Sequence, residues 1–233
     1  MKKILLAFDG TQFSKGAFDF AHRLNKIEPV MLTGVFISQI SYANLWSFAK
    51  TKERTLSIPM VEDEEAHIIE QNIERFENLC QVHDISYRVH KDFYNFALPE
   101  LQRETRCADV LIISGEKFFH NIIGEYPIEY ISDALKEAEC PVFVVPEKFE
   151  FPVKNIFAYD DSASSVYAIK QFVYLFPELC KQQTTVLYFA RNGETAIPEI
   201  IRLQELMQQH FKKLSFLKID INPKKEFNTW ISE

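Results

Sequence analysis

No basic run in this chain is longer than a pair, and 26 Lys and Arg stand against 33 Asp and Glu, a formal net charge of -7. A phosphate backbone or an anionic membrane surface therefore finds no electrostatic footprint, which argues against nucleic acid and membrane as partners. Long apolar runs are missing too. Nothing approaches the roughly 18 to 20 residues of a membrane-spanning helix, and Met1-Lys2-Lys3 leads through only Ile4-Leu5-Leu6-Ala7-Phe8 before Asp9. That run is too short for the core of a signal peptide and reads as a strand. Cysteine is sparse: Cys80, Cys107, Cys140 and Cys180 are widely separated and lie in or beside apolar segments, as reduced core thiols do. A cytoplasmic address is expected. Familiar catalytic signatures are also lacking, with no G-x-G-x-x-G, Walker loop, G-x-S-x-G or H-E-x-x-H. The six histidines show no metal-ligand spacing.

What the chain does have is material for packing. Over 233 residues it is 47% hydrophobic and 14% aromatic, enough for one large or two small domains. Continuous apolar runs, the pattern of buried parallel strands, alternate with stripes of period near 3.6, the pattern of surface helices. Strands are expected at 4–8, 30–37, 85–89, 110–114 and 142–145, with helices at 14–25, 61–83, 97–105 and 128–138. In the second helix Ile69, Ile73, Phe76 and Cys80 step along one face, which is expected to pack on a sheet. Five strands joined by right-handed crossovers make a doubly wound α/β sandwich with helices on both faces. The aromatic segment around Tyr42, Trp46 and Phe48 is expected to pack against this domain.

The opening recurs. Lys3-Ile4-Leu5-Leu6-Ala7-Phe8-Asp9 is echoed by Lys154-Asn155-Ile156-Phe157-Ala158-Tyr159-Asp160, each followed by small or polar residues and a helix carrying Ala17 or Ala168. A second strand, Thr185-Val186-Leu187-Tyr188-Phe189, matches Met31-Leu32-Thr33-Gly34-Val35, and a helix with Ile200, Ile201, Leu203 and Leu206 leads to a strand at 214–219. Two domains are expected, 1–148 complete and 151–233 a second copy that stops partway, with Glu147-Lys148-Phe149-Glu150 as the boundary. A parallel sheet lacking its last two strands exposes a central strand as an edge. The expectation is a shortened form of a longer protein, the alternative being another chain that completes the sheet.

Asp9, followed by Gly10-Thr11 and a helix with Ser14 and Ala17, resembles the opening of universal stress proteins. So does the end of the repeat, Ala108-Asp109-Val110-Leu111-Ile112-Ile113-Ser114-Gly115, then a loop, a helix and Cys140-Pro141-Val142-Phe143-Val144-Val145-Pro146. The resemblance implies strand order 3-2-1-4-5, a regulatory or binding role in stress response, and either a homo-oligomer or an intramolecular pseudo-dimer of repeats with an apolar shared surface. An unidentified protein partner is expected. It also implies that Asp9 and Val35 lie on the adenine side of a nucleotide pocket, with Ser114, Gly115 and Lys117 on the phosphate side and Asp160 as the second-repeat counterpart of Asp9. From the residues alone Asp9 equally caps a helix or forms an Asx-turn, Val35 reads as core, and Lys117 reads as solvated.

ATP-binding members carry G-x-x-G, nine residues, then G-S or G-T after the fourth strand. Glycines let backbone N–H groups approach phosphates, and the hydroxyl residue opens a helix whose dipole favours anions. Here Phe118 stands at the second glycine, Ile128 at the third and Glu129 at the hydroxyl, while Gly124 is out of register. Glu129, just after Pro127, is also a good helix start, contributing about 0.3 to 1 kcal/mol through the macrodipole. Either way it sets a carboxylate where phosphate would sit, and like charges about 4 Å apart cost on the order of 4 kcal/mol at an effective dielectric near 20. Weak or no ATP binding and at most slow ATP hydrolysis are expected. The alternative is an ATP or AMP binder with a divergent loop. A nucleotidyltransferase is disfavoured, since H-x-G-H and S-G-G-x-D-S are missing.

Overall fold

Five apolar runs pair side by side as one parallel sheet in the computed structural model, which describes residues 1–9, 11–37, 63–92, 97–118, 135–190 and 196–219. The strands are β1 (Lys2–Asp9), β2 (Val30–Ile37), β3 (Ser86–Asp92), β4 (Val110–Ser114) and β5 (Val142–Val145), and the helices between them are α1 (Lys15–Ile27), α2 (Asp63–Val82) and α3 (Ala97–Arg106). Every pairing is parallel and the spatial order is β3-β2-β1-β4-β5, the order expected from the resemblance. Residues 135–137 are helical. The rest of the helix expected at 128–138 lies outside the described residues, as does the Tyr42, Trp46 and Phe48 segment.

β1 has a neighbour on each side and is buried on both faces, so Ile4, Leu5, Leu6, Ala7 and Phe8 form an unbroken apolar run. On one face Phe8 stacks on Phe13 and Phe36, each 4.8 Å between ring centroids, and Phe76 of α2 meets Phe8, Phe18, Phe36 and Tyr87 edge-on. Gly34 makes room there, because a Cβ at that position would stand 2.9 Å from the Phe76 ring. Ile69, Phe76 and Cys80 are fully buried as the helical stripe predicts, and Ile73 is half-buried. On the other face Leu5, Ala7, Val35, Leu101, Leu111, Ile113 and Phe118 form a second buried cluster.

Two boundaries move for local reasons. Ser14 does not join the first helix but caps it, its Oγ accepting the Ala17 N–H at 3.0 Å. The third strand begins one residue late because the Ile85 N–H donates to the Cys80 carbonyl at 2.9 Å and closes α2, while Asp84 turns through φ 53. His22 of α1 stacks on His83 with 3.9 Å between centroids. Burial, then the charges of His83 and Lys26, hold the His22 pKa below its ordinary value. The cysteine expectation fails at one position: Cys107, just past the end of α3, is exposed. Burial pushes the Cys80 thiol up to about 12 and those of Cys140 and Cys180 up to about 11.

The chain divides into two compact units, Met1–Phe151 and Pro152–Glu233. The second holds β6 (Lys154–Tyr159), α4 (Ala163–Leu175), a 3₁₀ turn at Leu179–Lys181, β7 (Gln183–Phe189), α5 (Ile200–Gln208) and β8 (Leu214–Ile219). Its three strands are parallel in the order β6-β7-β8. Val186, Met207 and Phe211 are buried in its core, and Phe157 meets Phe172 and Phe211 edge-on. Asn155 is buried and satisfied, its amide donating to Leu179 O at 2.9 Å and Thr184 Oγ1 at 3.1 Å. Ser162 caps α4 as Ser14 caps α1. Among the described residues β6 pairs with β7 alone, whereas β1 pairs on both sides.

Candidate functional site

The strand order reverses between β1 and β4, and open α/β sheets take ligands in the crevice beyond the carboxyl ends of the strands at such a point. Three segments meet there: the turn from β1 into α1, the turn 115–118 after β4, and Pro146-Glu147 after β5. Ser114 ends β4 and Ser14 caps α1, and both are buried, 1% and 2% exposed. A buried hydroxyl needs a partner. Both find the same one, the carboxylate of Glu147.

Glu147 Oε1 accepts from Ser14 Oγ and, at 3.0 Å, from Ser114 Oγ. Oε2 accepts from the Gly16 N–H at 3.4 Å and lies 3.3 Å from Lys117 Nζ. Lys117 Nζ also donates to the Phe13 carbonyl at 2.9 Å, while the N–H groups of Glu116 and Lys117 donate to Ser114 Oγ at 3.3 and 3.1 Å. The side chain of Glu147 is 14% exposed. Burial alone would raise its pKa. The hydrogen bonds from Ser14, Ser114 and Lys117 and the charge of Lys117 outweigh it, and the pKa lies below the ordinary 4.5.

A carboxyl whose pKa is lowered by folding stabilises the fold above its unfolded value and loses that contribution as pH falls through its folded value. The urea midpoint of the wild type is expected to drop as pH falls from about 5 to about 3, with Glu147→Gln giving a flatter profile. Parallel profiles for the two proteins would remove Glu147 from the acid response.

The other site residues fall as follows. Val35 is buried, paired with Ala7 and His90 in register, and belongs to the same cluster as Phe118, itself 3% exposed. Gly115 is exposed and its N–H donates to the Val145 carbonyl at 3.0 Å, tying the turn to β5. Lys117 is not left to solvent, because its ammonium bridges Phe13 O and Glu147. Asp9 ends β1 opposite Ile37 in register, and its side chain lies outside the description. Gly10, Ile128 and Glu129 lie outside the described residues. Asp160 follows β6 directly, its Oδ1 accepting from the Ser162 N–H at 3.0 Å and from Ser162 Oγ at 2.6 Å, and these hydrogen bonds lower its pKa. It forms the Asx-turn that opens α4. Beside it Tyr159 Oη donates to Asp161 Oδ1 at 2.9 Å, and burial and that bond push the phenol up to about 12.

Glu147 is the residue that reading the sequence missed, having placed it in the domain boundary. The available signal was the pair of hydroxyl residues Ser14 and Ser114, one opening the helix that follows β1 and the other ending β4, each needing a buried partner. Chemically the arrangement holds one anion with a hydroxyl pair, a helix N-terminus and a lysine. No cluster of three His, Cys, Asp or Glu suited to a metal ion occurs among the described residues. No helix among them is long and apolar enough to cross a membrane.

No protein-family model matches the sequence, and no curated protein does. Solved structures do. A universal stress protein from Archaeoglobus fulgidus superposes with a TM-score of 0.66 at 14% identity, the match covering 99% of this chain and 82% of that one. Universal stress protein UspA from Lactobacillus plantarum is similar at a TM-score of 0.40 and 12% identity, covering 62% of this chain and 97% of that one. The first of these likenesses spans both units, and the chain has the universal stress protein fold.

Proposed function

We propose that this protein is a regulatory, partner-binding module of the universal stress type whose first unit does not use ATP, because the crevice for it is filled by the protein's own side chains. The observation that carries this reading is the joint placement of the Phe118 ring in the Val35 cluster and the Glu147 carboxylate on Ser14 and Ser114. An incoming triphosphate meets a resident carboxylate, and like charges at close range repel. The second unit repeats the opening as β6-α4-β7-α5-β8, which supports a tandem arrangement acting as an intramolecular pseudo-dimer or within a homo-oligomer in the cytoplasm. Its partner is a protein rather than a nucleic acid, given the net charge of -7.

Titration calorimetry with ATP and magnesium tests the reading. The wild type is expected to give no saturable heat, and the variant that combines Phe118→Gly, Ile128→Gly and Glu129→Ser with Glu147→Ala to bind. Micromolar binding by the wild type that is lost in Asp9→Ala would overturn it in favour of an ATP or AMP binder with a divergent loop.

A further inference from the structure

The strap from Pro146 to Phe151 is held against α1 at two places. At its start Glu147 reaches Ser14, the Gly16 N–H, Ser114 and Lys117. Further along, Phe149 and Phe151 pack on Phe20, at 5.7 and 5.4 Å between ring centroids, beside Phe143 at 5.4 Å. The polar contact is made by an anion in a cradle built from two segments far apart in the chain, 14–16 and 114–117, with two nearly inaccessible hydroxyls and a lysine already fixed by Phe13 O. Nothing in the cradle requires the anion to be covalently part of the chain. We propose that Ser14, the Gly16 N–H, Ser114 and Lys117 form a carboxylate cradle with Glu147 as its resident, so that the strap leading into the second unit is latched by a contact that a free carboxylate can replace. A ligand or partner carboxylate entering the cradle displaces Glu147 and frees the strap. The latch shares the occupied crevice with the functional reading above but does not depend on whether ATP binds.

Trypsin reports on the latch at Lys148, inside the strap. Glu147→Ala is expected to be cut after Lys148 roughly tenfold faster than wild type, since a charged hydrogen-bond set is lost. Sodium formate, which fits the space the alanine leaves, should restore protection saturably, whereas sodium chloride at equal ionic strength should not. Glu147→Gln keeps the side-chain volume, so it should be cut faster than wild type yet gain nothing from formate. Unchanged cleavage of Glu147→Ala, or faster cleavage that formate does not reverse, overturns the latch, as would equal formate rescue of the glutamine variant. Should Glu147→Ala fail to fold in chloride, formate must restore its circular dichroism, and failure to do so counts against the proposal. Calorimetry with ATP is unaffected by any of these outcomes, so the two readings fail separately.

Discussion

Replacing Phe76 with alanine lowers the stability of the first unit by about 3 to 5 kcal/mol. Phe76 is fully buried and its ring is an edge-on neighbour of Phe8, Phe18, Phe36 and Tyr87. Each pair adds about 0.5 to 1.5 kcal/mol beyond area burial, so the loss should lie toward the upper end of the cavity range. Gly34 raises the cost further in kind, because the wall facing the ring has no side chain with which to fill the hole. A domain of this size is stable by about 5 to 15 kcal/mol, so the variant retains a fold with a much lower urea midpoint and an unchanged slope. Phe76→Leu should recover about half of the loss. A change under about 1 kcal/mol for the alanine variant would mean that this face is packed more loosely than the ring distances indicate.

The second large effect is expected at Gly16, where two principles oppose each other. Alanine in place of glycine within a helix ordinarily stabilises by about 0.8 to 1 kcal/mol. Here a Cβ would stand 2.6 Å from Glu147 Cα and 2.8 Å from Glu147 O, with the Pro146 carbonyl also in the way. These are backbone atoms and cannot rotate aside, so overpacking at about 1 to 3 kcal/mol wins and Gly16→Ala is destabilising. The strap should be pushed from its seat, with faster tryptic cleavage at Lys148. Gly115→Ala is the control. Its Cβ meets the Val144 Cγ1 at 3.1 Å, a side-chain methyl that can move, so its effect should stay within about 0.5 kcal/mol. A neutral or stabilising Gly16→Ala in urea denaturation would refute the close approach of strap and helix.

The sheet was legible because its central strands obey a local rule. β1 and β4 are buried on both faces, and burial on both faces writes itself as Ile4 to Phe8 and as Val110 to Ile113 without interruption. β3 was harder to delimit. It is an edge strand, in which Arg88 interrupts the apolar run and His90, Lys91 and Asp92 continue past its expected end. Helix α2 announced its buried stripe through Ile69, Phe76 and Cys80. The candidate site was only half legible. Phe118 could be identified as out of place for a phosphate loop, since a ring cannot do what a glycine does. Its burial with Val35 depends on where the turn after β4 points. Glu147 could not be separated from the charged residues around it, because Glu147-Lys148-Phe149-Glu150 has the composition of a solvated joint. Its partners lie 133 and 33 residues away, and no local pattern reports contacts at that separation.

The crossing at the centre of the sheet sets the order in which the first unit can assemble. Lys3 and Asp109, which open the β1 and β4 pairing with a hydrogen bond of 2.8 Å, are 106 residues apart. β2 can reach β1 early, but the other edge of β1 waits for β4, and closing so long a loop is entropically costly and slow. At synthesis rates of about 5 to 20 residues per second, β1 spends roughly 5 to 20 s outside the ribosome before its second partner exists. The first strand to be made gains its second neighbour only after β2 has gained both of its own, and for that interval Ile4 to Phe8 is an apolar segment open to chaperones.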